Sequence, residues 1–180
     1  MSRALLPLVT AVLDDLGARY ALIGAAALAA HGVARSTFDL DLLTTEPAVL
    51  DPAAWADLAA DPQMRVSVRR GDADDPLAGV VRVETEGQPA IDVVVGRWTW
   101  QTEAIEAARS IQVAGRQVPV VGPADLILLK LYAGGSLDFW DIEQLLAASD
   151  RLALIAQVDG RLDRLPTQAR RAWARILDGR

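Results

Sequence analysis

Cysteine is absent from this chain of 180 residues, which excludes a disulfide framework and any thiolate metal site. A reducing cytoplasm is the expected compartment. Lysine is almost absent as well: of 18 basic residues only Lys130 is a lysine. In a chain that otherwise writes positive charge as Arg, one compact ammonium marks Lys130 as a candidate functional position. Histidine occurs once, at His31, after a run of Ala, where packing or capping a helix end is the expected role. Aromatics make up 5% of the chain, so a hydrophobic fraction of 52% rests mainly on Ala, Leu and Val. Positive charge is not in excess either, since the net charge is −6. That excludes a protein coating nucleic acid over its whole surface, while leaving room for a local basic groove. No long apolar run is present: the longest uncharged stretch, Tyr20 to Ala34, is too short and too rich in Ala and Gly to span a membrane. The expectation is a soluble, cytoplasmic protein with no membrane partner.

What the chain does have is a series of short periodic segments punctuated by Gly and Pro. Leu5 to Gly17 reads as an amphipathic helix, and Asp14 and Asp15 set it apart from a leader peptide. Tyr20 to Ile23 reads as a strand, Gly24 opens a helix of small residues, and Phe38 to Leu43 reads as a second strand. Pro52 opens a short helix through Ala60. Arg65 to Val68, Val80 to Glu84 and Ala90 to Val95 read as strands, the last two paired around Gly87. Asp72, Asp74 and Asp75 read as a solvated connection, because the further ligands of a calcium loop are missing. A helix from Trp98 to Ala108 and a hairpin turning at Gly115 complete the first part. From Pro123 only helices are expected: to Tyr132, then Leu137 to Ala148 with Ser136 as cap, Leu152 to Val158, and Thr167 to Leu177. The fold class is thus α+β, a mixed sheet with packed helices over 1–121, followed by a helical part over 122–180 in one compact unit.

Asp39 and Asp41 stand two apart on a predicted strand and therefore point to one face. Carboxylates so close are costly without a cation or proton between them. Asp92 interrupts an apolar strand that would lie alongside. It is either a third member of an oxygen-ligand site for a hard cation such as magnesium, or an edge-strand charge facing solvent.

The run Ile23 to Leu42 resembles the signature of the DNA polymerase β-type nucleotidyltransferase superfamily: an apolar residue, Gly and a small residue opening a helix, then two Asp separated by one apolar residue. With Gly32, Arg35 and Thr37 ahead of the Asp pair, it looks closest to AbiEii-like and minimal bacterial nucleotidyltransferases of toxin–antitoxin type. The stretch from Val118 to Leu146 is similar to that group's second signature, a Lys on one helix and two Asp on the next.

The resemblance implies a magnesium-dependent transfer of a nucleoside monophosphate from an NTP to an acceptor hydroxyl on RNA, tRNA or protein, with two Mg2+ ions and a possible cognate antitoxin as partner. It assigns the metals to Asp39, Asp41 and Asp92. Phosphate contacts fall to the backbone at Gly24 and Ala25, to Arg35 and to Lys130, with Asp138 and Asp141 as accessory groups. Ala25 stands where the family often has Ser or Gly, so a hydroxyl contact is missing. The alternative is a non-catalytic nucleotide-binding or antitoxin-like partner protein of the same fold. Arg35 has a second reading, as a partner of the nearby carboxylates, and Asp138 has one as a favourable acid in a first helical turn. The Arg-rich end, with Arg161, Arg164, Arg170, Arg171 and Arg175, reads as a solvated helix face, with contact to an RNA acceptor as the alternative.

Overall fold

A computed structural model describes residues 4–34, 39–113 and 116–179. Arg35, Thr37 and Phe38, and the expected turn at Gly115, lie outside the described residues. The architecture is α+β. Seven strands form one mixed sheet: β1 (Tyr20–Ile23), β2 (Leu40–Thr44), β3 (Met64–Arg70), β4 (Gly79–Thr85), β5 (Ile91–Val95), β6 (Arg109–Val113) and β7 (Arg116–Val120), in the order β3-β4-β5-β2-β1-β7-β6. The β2–β5 and β1–β7 pairs are parallel and the others antiparallel.

The helices among the described residues are α1 (Leu5–Asp15), α2 (Gly24–Ala30), α3 (Ala56–Ala59), α4 (Thr99–Glu106), α5 (Pro123–Ala133), α6 (Ser136–Ala148), α7 (Arg151–Asp159) and α8 (Thr167–Leu177). None is long and apolar enough to cross a membrane.

Alternation along β4 and β5 decides which face of the sheet is open. Val81, Val83, Ile91, Val93 and Val95 are buried, while Arg82 and Asp92 between them stay partly exposed. One core cluster runs from α1 through the central strands to α5–α8, with α5 packed against α6, α7 and α8. Burial of this continuous apolar surface joins the sheet to the helical part.

Several local expectations shift. Asp39 immediately precedes β2 instead of lying inside it, although Leu40 already donates to the Ala90 carbonyl at 2.9 Å. The helix expected from Pro52 to Ala60 is broken into a 3₁₀ turn, Pro52–Trp55, and α3. The buried Trp55 indole, donating to the Val49 carbonyl at 2.8 Å, anchors that turn. Ser136 is the first residue of α6 and not its cap. Gly135 takes the cap position, and the Asp138 carboxylate accepts its backbone N–H at 2.9 Å.

Candidate active site

The site begins where β1 ends. Gly24 has φ +66°, in the left-handed region, and a Cβ there would lie 2.0 Å from Asp41 Oδ2. Only glycine lets the chain turn from β1 into α2 with the Asp41 carboxylate against its backbone. Asp41 pairs in register with Ile23 on one side and Asp92 on the other, and Asp92 pairs with Arg82. Ile23, Asp41, Asp92 and Arg82 therefore form one row across four neighbouring strands, on the open face. The edge-strand alternative for Asp92 gives way: β5 is an interior strand, and Asp92 sits beside Asp41 with its side chain still partly exposed.

Arg82 closes the row. Its Nη1 donates to Asp92 Oδ2 at 2.7 Å, its Nη2 to Asp39 Oδ2 at 3.0 Å and its Nε to Glu84 Oε1 at 3.0 Å. Burial pushes the Asp92 carboxyl above its ordinary range, against the pull of the Arg82 charge. The hydrogen bonds to Glu84 and then Asp39 raise the Arg82 guanidinium still further above its usual value, so it is charged at any working pH.

A second group lies across α2. Lys130 is 7% exposed, with Nζ at 2.6 Å from Asp141 Oδ2 and 2.9 Å from Asp138 Oδ1. A buried ammonium needs such partners, and Asp141 is itself fully buried. The turn between α5 and α6 sets this geometry: Gly134 takes a left-handed conformation at φ 70°, ending α5 and bringing the first turn of α6 back toward Lys130. Gly24, Ala25, Asp41, Lys130 and Asp138, with Ile23, Leu126, Leu129 and Ala133, line a cleft of about 350 Å3. Asp41 is common to the cleft and to the carboxylate row. Asp39 and Asp92 meet at Arg82 instead of in the cleft wall. His31 has a structural task, its Nε2–H donating to the Val121 carbonyl at 2.7 Å.

Asp41 and Asp92 in the row, with Asp39 beside it, are hard oxygen donors of the kind a divalent cation takes. In the observed arrangement no three acidic or imidazole groups among the described residues converge as a ready coordination shell. Arg82 stands between Asp39 and Asp92 instead.

Reading the sequence did not single out Arg82, though a signal was there. Pairing β4 and β5 symmetrically about Gly87 places Arg82 opposite Asp92, and each is the one charge flanked by Val or Ile on both sides in its strand.

The mixed seven-stranded sheet with its packed helices has a nucleotidyltransferase fold. Among solved structures, the chain is similar to the antibiotic-resistance factor ANT(2'')-Ia in its solution structure, at 15% identity and TM-score 0.58, over 88% of this chain and 90% of that one. It is also similar to crystalline ANT(2'')-Ia in complex with adenylyl-2''-tobramycin, at 18% identity and TM-score 0.53, over 88% and 97% of the two chains. An antigenic nucleotidyltransferase-like protein from Paracoccidioides brasiliensis matches at 15% identity and TM-score 0.51, over 96% and 85%. No family model matches the chain, and no curated protein matches it in sequence. At these identities the likeness establishes the fold.

Proposed function

We propose that the protein transfers a nucleoside monophosphate from an NTP to an acceptor hydroxyl. The observation that carries this reading is the position of Asp41, shared between the Gly24–Lys130 cleft and the row of Asp92 and Arg82. In the reaction the acceptor oxygen forms a bond to the α-phosphorus as the bond to the bridging α–β oxygen breaks. Pyrophosphate leaves and the hydroxyl proton is released.

The cleft takes the triphosphate. Lys130 offsets its charge as a point cation, and Asp138 and Asp141 hold the ammonium in place. Gly24 and Ala25 bring backbone close to the phosphates, and the absence of a Cβ at Gly24 lets the Asp41 carboxylate stand against that same backbone. Asp92 orients the acceptor hydroxyl. Asp39, Asp41 and Asp92 would hold magnesium, which when bound offsets phosphate charge and activates the attacking oxygen. Arg35, outside the described residues, is assigned to phosphate by its place in the motif.

The narrower assignment is to the AbiEii-like group, supported by the order Gly32, Arg35, Thr37, Asp39, Asp41 and the Lys130–Asp138–Asp141 set. It carries with it an RNA, tRNA or protein acceptor, a cognate antitoxin and a cytoplasmic setting. A small-molecule acceptor belongs in the same test, since a neighbour of this fold is seen with adenylyl-2''-tobramycin.

The test is transfer of label from α-labelled NTP in the presence of Mg2+, with products from RNA, protein and small-molecule pools resolved by mass spectrometry. Asp39→Asn and Asp41→Asn abolish transfer while circular dichroism stays unchanged. Label transfer retained in folded Asp39→Asn protein would sink the metal assignment. A second reading, a nucleotide-binding partner without turnover, is favoured by Ala25, which offers no hydroxyl to a phosphate. Calorimetric NTP binding without pyrophosphate release would establish it.

A further inference from the structure

Arg82 is a cation built into the carboxylate row, and transfer of a nucleotide gives it no evident task. Sheet register puts it there, opposite Asp92 and two strands from Asp41, so its backbone is not on a mobile loop. Its fork satisfies Asp92, Asp39 and Glu84 at 2.7, 3.0 and 3.0 Å. Without a counter-cation these clustered acids repel one another and draw protons. The guanidinium offsets part of that charge by facing the Oδ2 atoms of both Asp39 and Asp92.

We propose that Arg82 is a tethered counter-cation that competes with a divalent metal ion for Asp39 and Asp92. Metal entry swings the guanidinium off the two carboxylates, and metal loss lets it return. The inference rests on the nucleotidyltransferase reading only for the choice of metal site. Two features permit the exchange. The Arg82 side chain is 36% exposed, so it has solvent to move into, and its long stem can rotate without disturbing β4. A partly exposed ion pair is also weak enough for a doubly charged ion to displace. Glu84, bonded to Nε at the stem side of the guanidinium, offers the displaced group a carboxylate to keep.

The experiment titrates Mn2+ into the full chain without nucleotide, by calorimetry and by loss of the free-ion paramagnetic resonance signal. It compares wild type, Arg82→Gln, Arg82→Lys and Asp41→Asn, with melting in chelator and in excess Mn2+ read in parallel. Arg82→Gln is expected to bind Mn2+ about three- to tenfold more tightly. It should also melt lower in chelator and gain more from Mn2+ than wild type does. Arg82→Lys, which keeps the charge but loses the fork, falls between, and Asp41→Asn binds more weakly. Unchanged or weaker binding in Arg82→Gln overturns the proposal, as does absence of Mn2+ binding in every variant. Should Arg82→Gln fail to fold, Arg82→Lys is judged by the same criterion. Label transfer by wild type, measured alongside, separates the two ideas. Tighter binding without transfer sustains the counter-cation and rejects the enzyme, whereas transfer with unchanged affinity does the reverse.

Discussion

At the scale of single residues, Gly24 and Arg82 show how little material fixes the site. Gly24 combines a left-handed φ of +66° with a missing Cβ that would otherwise stand 2.0 Å from Asp41 Oδ2. Gly24→Ala must therefore strain the backbone and push the carboxylate aside. The expected cost is roughly 1–3 kcal/mol in urea unfolding. A loss of NTP binding by calorimetry should exceed anything that partial unfolding explains. A substitution that leaves both unchanged would mean that Asp41 is not confined by this turn. The Gly and the Asp pair were legible in the sequence because local spacing carries them. Their contact was not, since it depends on Ile23 and Asp41 coming opposite each other across β1 and β2. Arg82 lay between: the Gly87 turn implies its partner Asp92, but the further reach to Asp39 requires β2 beside β5.

At the scale of elements, α6 is placed so that its first two turns hold Lys130. The helices themselves, and the three-residue spacing of Asp138 and Asp141, could be read from the chain. The sheet order could not: nothing local says that the β6–β7 hairpin joins β1 in parallel, since that pairing is a long-range choice made by the whole core. The two acids of α6 differ in burial, and this sets their energetic weight. Asp141 is fully buried and lies 2.6 Å from Nζ, whereas the Asp138 side chain is 21% exposed at 2.9 Å. Asp141→Asn removes charge from a site water cannot reach and is expected to cost about 1–3 kcal/mol. Asp138→Asn keeps an oxygen for the Gly135 N–H and should cost below about 1 kcal/mol. Urea denaturation of the two variants checks the order. Equal costs would show that Lys130 does not depend on its buried partner.

At the scale of the whole molecule, the sheet and the helical part share one core, and charged contacts tie the region after α7 back to earlier elements. Arg164 pairs with Glu103 of α4, and Arg161 Nη1 meets Asp125 Oδ1 of α5 at 2.5 Å. Two forces oppose each other at Asp125: burial raises its carboxyl above the ordinary value of 3.8, and the Arg161 charge lowers it, with burial the larger. A carboxyl raised in the folded state binds its proton more tightly there than in the unfolded chain. Its stabilising contribution is therefore full at pH values below the unfolded pKa and is lost as pH rises through the folded one. Other acids change stability over the same range, so the test is a difference. Unfolding free energies of wild type and Asp125→Asn are measured from about pH 3 to pH 7, and the excess of wild type over variant should fall with rising pH and then level off. A difference that instead grows with pH would mean that the Arg161 pair outweighs burial. The contact would then act as an ordinary stabilising ion pair, and the fold would be held most firmly near neutrality by this link between α5 and the segment after α7.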